Sequence, residues 1–377
     1  MKKLLIVFGL LLCPAFAQNV LAQLPTESGR VVDFSTGAAV PDVKVSAILF
    51  CTPITPTLPK STWVNTAITG ADGKYLVTYP FGPLTPPSCA LRENSFTISK
   101  DGFTFVRRKG LDNDRDYVGI RTDLPQWTGV PAASYKGNAT SEMIMAAFGA
   151  ELAGTIEAAS HTPLPTTLAG RTIKVVDYEG VEKHASFFFV SPTQINYLLP
   201  AGLASGPAIV SLNGADGFIR IGILNVQKLA PAIFTADTSG QGLAAAVILR
   251  IRSDGSQQYE PVQRFDSVQG KIVPVPIDLG PETDRIILVL FGTGWRQATS
   301  DSNVRVTLQS SSLDPPGVIG NTIVHYAGAQ PTIIGLDQIN AEIPRSLAGT
   351  GEAHVFVAMK GDLNEDVIAN KVQVYIK

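Results

Sequence analysis

The residues that could do chemistry are few, and their spacing is unhelpful for catalysis. Four histidines, His161, His184, His325 and His354, are scattered along the 377-residue chain. None stands in an H-x-x-H or H-x-x-E spacing, so the metallopeptidase pattern of imidazoles and a carboxylate on one helix face is absent. No G-x-S-x-G elbow presents a serine. Gly270-Lys271 lacks the upstream glycine and the following Ser or Thr of a phosphate loop. Gly240, Gly242 and Ala245 fit G-x-G-x-x-A, but "TADTS" precedes them and a β-like run follows. A dinucleotide site needs a strand before and a helix after, so that phosphate meets the helix N-terminus. Asp112, Asp114 and Asp116 alternate in "LDNDRDY", and Asp362, Asn364 and Asp366 form a similar set. Closely spaced carboxylates can surround Ca²⁺, but Tyr117 stands where the EF-hand requires glycine, and both stretches read as solvated loops. These patterns predict no catalytic residue, no resident metal and no cofactor.

Two other groups can bind without reacting. Trp63 and Trp127 lie in loop-like surroundings, where an aromatic face can stack on a sugar or anchor a protein, with burial as a cap on a sandwich end as the alternative. Gln194 and Asn196 precede Pro200 in "QINYLLP", and Gln338 and Asn340 precede Pro344 in "QINAEIP". An amide beside a turn can satisfy backbone groups that a sheet leaves open, so the repeated amides and prolines read as a structural corner used twice.

The elements that must position these residues are strands. Short apolar runs bounded by Gly, Pro, Asn and Ser dominate, 34 Gly and 26 Pro supply turns, and no long run has a 3.6-residue period. The expected fold class is all-β, as tandem sandwiches. Charged residues are 16% of the chain and nearly balanced, 30 basic against 32 acidic. No basic stripe with interleaved aromatics occurs, which argues against nucleic acid as a partner.

The N-terminus reads as an export signal, residues 1–22. Lys2 and Lys3 precede the apolar Leu4–Leu12, which is too short to span a bilayer, and cleavage fits after Ala17 or Ala22. Leu12 before Cys13 is not the small residue that lipidation requires. Removal leaves 28 basic and 32 acidic residues and no transmembrane anchor is expected in the mature chain. Cys51 and Cys89 then remain, and two thiols in an exported domain point to one disulfide, with two buried free thiols as the alternative.

Residues 25–106 form the first expected unit. Val43, Val45 and Ala47 alternate with polar neighbours, Gly70-Ala71-Asp72-Gly73 is a tight turn, and Tyr75, Val77 and Tyr79 alternate after it. Gly29-x-Val31, Gly37 with Val40-Pro41, Thr69 with Asp72-Gly73-x-Tyr75, and Asp101-Gly102-Phe103 resemble the carboxypeptidase regulatory-like, or transthyretin-like, β-sandwich. That resemblance implies a fold and no peptidase activity. The polar stretch 107–129 reads as a linker.

The remainder contains an internal repeat. Phe148-Gly149 recurs as Phe291-Gly292, 143 residues on, and Gln-Ile-Asn recurs at 144. Each copy then has a strand stopped by proline, which cannot donate to a ladder, then a Gly/Ser loop and another strand, Ala208–Leu212 or Ala353–Val357. This predicts two related sandwiches, 130–228 and 285–377, joined by a connecting segment, 229–284. "SPTQINYLLP", "APAIFTAD", "GQGLAAA", "PIDLGP", "LFGTGWR" and "GLDQINAEIPRSLAGTGE" resemble the Solibacter-type C-terminal domain of exported proteins, and each copy resembles the immunoglobulin-like TIG module. The resemblance implies export and sandwich architecture but no reaction.

The function expected from these observations is a non-catalytic exported protein, secreted, periplasmic or cell-surface associated, serving adhesion or surface interaction. Its partner would be a surface protein or a glycan. A carbohydrate-binding protein and a spacer without its own ligand are the alternatives. Binding is expected on loops, above all 51–64, 107–129 and 310–321, and not on the repeated corners.

Overall fold

The computed structural model describes residues 26–53, 61–79, 89–109, 115–217, 219–298, 303–310, 318–361 and 364–377. The chain is all-β, several sheets packed as tandem sandwiches, and among the described residues no α-helix occurs. It divides into two compact units: Ala39–Lys100 with the residues up to Val31, and Asp101–Lys377 with Val32–Ala38. The expected export signal, residues 1–22 with cleavage after Ala17 or Ala22, lies outside the described residues, as do residues 54–60 of the expected 51–64 loop, whose two ends are strand.

In the N-terminal unit, Lys44–Pro53 is the middle strand between Ser61–Ile68 and Cys89–Ser99, both antiparallel to it. Thr26–Arg30 pairs with Lys74–Thr78. The alternation read from the sequence sends Val43, Val45, Ala47, Tyr75 and Val77 into the core. Thr69 ties this unit internally, its hydroxyl donating to the Val40 carbonyl at 2.8 Å and accepting the Val43 N–H at 2.9 Å. Gly73 cannot be replaced cheaply, because its φ is +75° and a Cβ there would lie 2.4 Å from the Val31 carbonyl oxygen.

The C-terminal unit holds two sandwiches. In the first, strands run in the order Ile219–Val226, Gly206–Gly214, Arg171–Val176, Glu182–Val190, Gln194–Leu198, Ile144–Phe148, Thr128–Pro131. Glu182–Val190 switches layers: its first half pairs with Arg171–Val176 and its second half, across a bulge between Phe187 and Phe189, with Gln194–Leu198. Ile173, Val175, Val210 and Leu212 from one layer meet Met145, Ala147, Ile195 and Tyr197 from the other in one core. In the second sandwich, one layer is Gln257–Pro261, Ala246–Ile251, Arg285–Thr293, Asp337–Glu342 and Ile323–Ala329. The other is Gly242–Leu243, Val372–Ile376, Gly351–Lys360, Val304–Ser310 and Val318–Asn321. Ile248, Leu288, Leu290 and Ile339 face Val306, Leu308, Val355 and Val374 across its core.

The two sandwiches repeat one another in register. Gln194 lies opposite Phe148 as Gln338 lies opposite Phe291. Asn196 lies opposite Phe189 as Asn340 lies opposite Tyr326, each just beyond a bulge. Val175 pairs with Val210 as Leu308 pairs with Val355.

Two expectations about boundaries are corrected. Residues 107–129 are not a linker. Phe103–Lys109 and Arg115–Arg121 form an antiparallel hairpin whose Val106, Val118 and Ile120 pack on Ile209 and Ile221 of the first sandwich. Its first strand buries only Val106, and the charged residues along both strands disguise them in the sequence. Nor is 229–284 a connector. Ala246–Ile251 pairs with Arg285–Thr293 in the second sandwich, the counterpart of Thr128–Pro131 beside Ile144–Phe148 in the first. Leu229, Ile233, Ile248, Val262, Ile277 and Leu279 all belong to the second core. The second copy therefore begins with this segment.

Candidate functional site

The residues singled out from sequence have mixed fates. Trp127 is buried, its indole N–H donating to the Val210 carbonyl at 3.2 Å and its ring stacked on Tyr197 at 5.8 Å. It is a core residue, so its expected role as a binding aromatic is corrected and the burial alternative holds for it. Trp63 stands on the strand Ser61–Ile68, opposite Leu49, and is half-buried rather than set in a loop. Asp112 and Asp114 lie outside the described residues, and Asp116 is on the strand Arg115–Arg121, opposite Arg108. Among the described residues no cluster of three or more metal-ligating side chains occurs. The side chains of Cys51 and Cys89 also lie outside the described residues. Their backbones run on adjacent strands, Cys89 opposite Pro53 and Cys51 opposite Arg92.

The repeated amides sit on strands and bond to each other, not to loop backbone. The Gln194 amide donates to the Asn196 carbonyl at 2.9 Å, and Gln338 donates to Asn340 at 2.8 Å. Residues two apart on a strand share a face, so the same pair of amides forms the same link in both sandwiches. Pro200 follows the strand Gln194–Leu198 by two residues, and Pro344 leads into the 3₁₀ turn Arg345–Leu347.

A buried ion pair of the second sandwich stands at its junction with the first. Asp337 is fully buried and accepts the backbone N–H groups of Trp295 at 2.8 Å and Arg296 at 3.1 Å. Its other oxygen accepts the Arg296 Nε–H at 2.9 Å. Arg296 also reaches the Leu336 carbonyl at 3.0 Å and Glu142, from the first sandwich, at 3.5 Å. Burial pushes the Asp337 carboxyl above its ordinary value, against the pull of Arg296 and the backbone N–H groups. Nearby, Thr293 bridges the same junction, accepting the Ile144 N–H and donating to the Gly335 carbonyl, each at 3.0 Å. Gly294, at φ +95°, lets the chain pass the Ala230 carbonyl, where a Cβ would approach to 2.2 Å.

A cleft of about 650 Å³ opens between the sandwiches. Its floor is apolar, from Ala230, Pro231, Ala232 and Val372, all buried. One wall is the loop 134–138 of the first sandwich, and the opposite walls are Gln241–Gly242 and 367–373 of the second. Both flanking loops hold a non-glycine residue in the left-handed region, Tyr135 at φ +58° and Thr238 at φ +58°. For β-branched Thr238 this is a strained conformation that persists only where the surroundings over-determine it. They do so here. The Gly240 N–H donates to the Thr235 hydroxyl at 3.0 Å, and the Asn370 amide donates to the Gly240 carbonyl at 3.0 Å. Burial disfavours the Asp237 carboxylate, but the Ser239 hydroxyl and N–H, with Thr235, overcome it and hold that carboxyl below its ordinary value. His354 also lines the cleft, with Nδ1 buried and lacking a hydrogen-bond partner among the described residues.

A second cleft, of about 540 Å³, adjoins the first and shares Gly242 and Gln373 with it. Asp237, Gln269, Lys271 and Tyr375 line it. Sequence reasoning missed both clefts. The nearest signal was "TADTSGQG", whose turn residues read only as a failed nucleotide motif.

Among the described residues no helix is long and apolar enough to cross a membrane. Neither a protein-family model nor a curated protein matches the chain. Bovine butyrophilin aligns over 67% of this chain and 99% of its own, at 11% identity and a TM-score of 0.19. An auxiliary nutrient binding protein from Bacteroides ovatus aligns over 68% of this chain and 71% of its own, at 8% identity and 0.18. The major pilin SpaD from Corynebacterium diphtheriae aligns over 93% of this chain and 98% of its own, at 8% identity and 0.18. TM-scores this low carry no argument about function, and the fold stands on the sheets and cores themselves.

Proposed function

We propose that this is an exported, non-catalytic protein of the cell surface or its surroundings, which binds a surface ligand in the cleft between its two repeated sandwiches. The observation that carries this reading is the cleft itself, walled by loops of both sandwiches. Ligand sites favour such junctions, and a rigid wall reduces the entropy lost on binding. The Arg296–Asp337 pair and the over-determined Thr238 loop supply that rigidity. The signal-like N-terminus supports export, and the Cys51–Cys89 pair fits an oxidising compartment. The carboxypeptidase regulatory-like resemblance of 25–106 and the Solibacter-type resemblance of 130–377 belong to the same proposal.

The test is a glycan array and a cell-envelope pull-down with the mature chain, each repeated with Gln241→Trp. Gln241 is exposed at the cleft mouth, so the indole would fill it without disturbing the core. Capture by the wild type and its loss in Gln241→Trp are expected. Equal capture by both would place binding elsewhere, and no capture by either would favour a spacer.

A further inference from the structure

The lysines of the C-terminal unit are mostly satisfied within the protein. Lys109 pairs with Glu179, Lys174 with Glu182, Lys360 with Asp366 and Lys377 with Asp278, while Lys183 donates to the Ala201 and Gly202 carbonyls. The side chains of three lysines of this unit make no hydrogen bond or ion pair among the described residues: Lys136, Lys271 and Lys371. All three line the two adjoining clefts, Lys136 and Lys371 the larger and Lys271 the smaller. No carboxylate lines the larger cleft. The one in the smaller, Asp237, already accepts the Ser239 N–H and hydroxyl. Three lysines whose side chains have no partner among the described residues therefore stand along one groove, whose single carboxylate is already engaged.

The other polar groups there are amides. Gln227, Gln241 and Gln373 line the larger cleft, and their side-chain amides make no hydrogen bond among the described residues. An amide offers a donor and an acceptor side by side, the pattern that neighbouring sugar hydroxyls match. Two clefts meeting at Gly242 and Gln373 suit an extended chain better than a single ring. A nucleic acid is the other polyanion, but its bases ask for aromatic platforms, and the larger cleft has no Phe, Tyr or Trp.

Resting on the reading of the cleft as a ligand site, we infer that the groove binds an extended anionic glycan. Its carboxylate or sulfate groups would pair with Lys136, Lys271 and Lys371, and its hydroxyls with the glutamine amides.

The experiment titrates the mature chain with labelled polygalacturonate, dextran sulfate, unmodified dextran and a single-stranded oligonucleotide, at low and high salt. The variants are Lys136→Glu, Lys271→Glu and Lys371→Glu, singly and combined, with Gln241→Trp and, as a cation outside the groove, Arg107→Glu. Exposed ion pairs imply about a two- to five-fold loss of affinity for each lysine reversed, and salt should weaken binding. Arg107→Glu should change nothing. Polygalacturonate and dextran sulfate distinguish a carboxylated from a sulfated ligand, and tight binding of either with this lysine dependence supports the inference. Preference for the oligonucleotide, binding indifferent to the three lysines, or no binding to either anionic glycan overturns it. Dextran binding lost in Gln241→Trp but kept in the lysine variants would overturn the anionic inference and leave the cleft reading standing. Binding kept in Gln241→Trp would remove both.

Discussion

Replacing Asp337 with alanine should cost the second sandwich about 3–5 kcal/mol, the usual result of removing one partner from a buried ion pair. The structure shows why the loss is large. Asp337 is fully buried, and its carboxylate is the acceptor for two backbone N–H groups and one guanidinium N–H. Without it the Trp295 and Arg296 N–H groups are orphaned, at about 1–3 kcal/mol each, less what relaxation and entering water recover. Arg296 keeps only the Leu336 carbonyl and the distant Glu142. Urea denaturation, followed by tryptophan fluorescence, reads this out, since Trp295 is buried beside the carboxylate. At roughly 2 kcal/mol per molar of urea, the midpoint of the second-sandwich transition should fall by about 1.5–2.5 M. Asp337→Asn keeps an acceptor and should lose less. The double variant Arg296→Met/Asp337→Leu should recover much of the loss, because it leaves no buried charge unpaired. A cost below about 1 kcal/mol for Asp337→Ala, or a double variant as damaged as the single, would refute this account of the junction.

Further outcomes follow from other positions. The Tyr197 hydroxyl is buried with no hydrogen-bond partner among the described residues, so Tyr197→Phe should stabilise the first sandwich by up to about 1 kcal/mol in urea melts. Burial raises the Tyr197 pKa. The unfolded chain thus releases this proton first, stability falls as pH rises above about 10, and Tyr197→Phe should blunt that fall. Gly294→Ala should cost more than about 1 kcal/mol, measured the same way, because it combines a positive φ with a clash on the Ala230 carbonyl. Gln338→Ala and Gln194→Ala should each lower stability by about 0.5–1.5 kcal/mol, through loss of one hydrogen bond to Asn340 or Asn196. Mass mapping of non-reduced peptides should find Cys51 linked to Cys89, and two free thiols would refute the bond.

Much of the fold is legible in the sequence because period-two alternation reports directly on half-buried strands. Val43, Val45 and Ala47 were readable as core residues for that reason, and so were Ile173 and Val175. The repeat was readable where both copies kept letters, at Phe-Gly and Gln-Ile-Asn. It was unreadable at Thr128–Pro131 and Ala246–Ile251, which fill the same place with unrelated residues. The hairpin strands Phe103–Lys109 and Arg115–Arg121 hide behind their charges, since Arg107, Arg108, Lys109, Arg115, Asp116 and Arg121 break up the apolar pattern. Trp127 has loop-like neighbours, yet its backbone N–H donates to the Ile221 carbonyl at 3.2 Å and its ring turns inward. The clefts join residues near 136, 241 and 371, and only tertiary packing brings these together. No spacing in the chain encodes that meeting.

Hydrogen–deuterium exchange of the mature chain, with and without a ligand found on the array, tests the assignment of binding to the inter-sandwich cleft most directly. Slowed exchange confined to residues 134–138, 237–242 and 367–373 is the result predicted. Protection centred on the strand carrying Trp63, with those three segments unchanged, would contradict it.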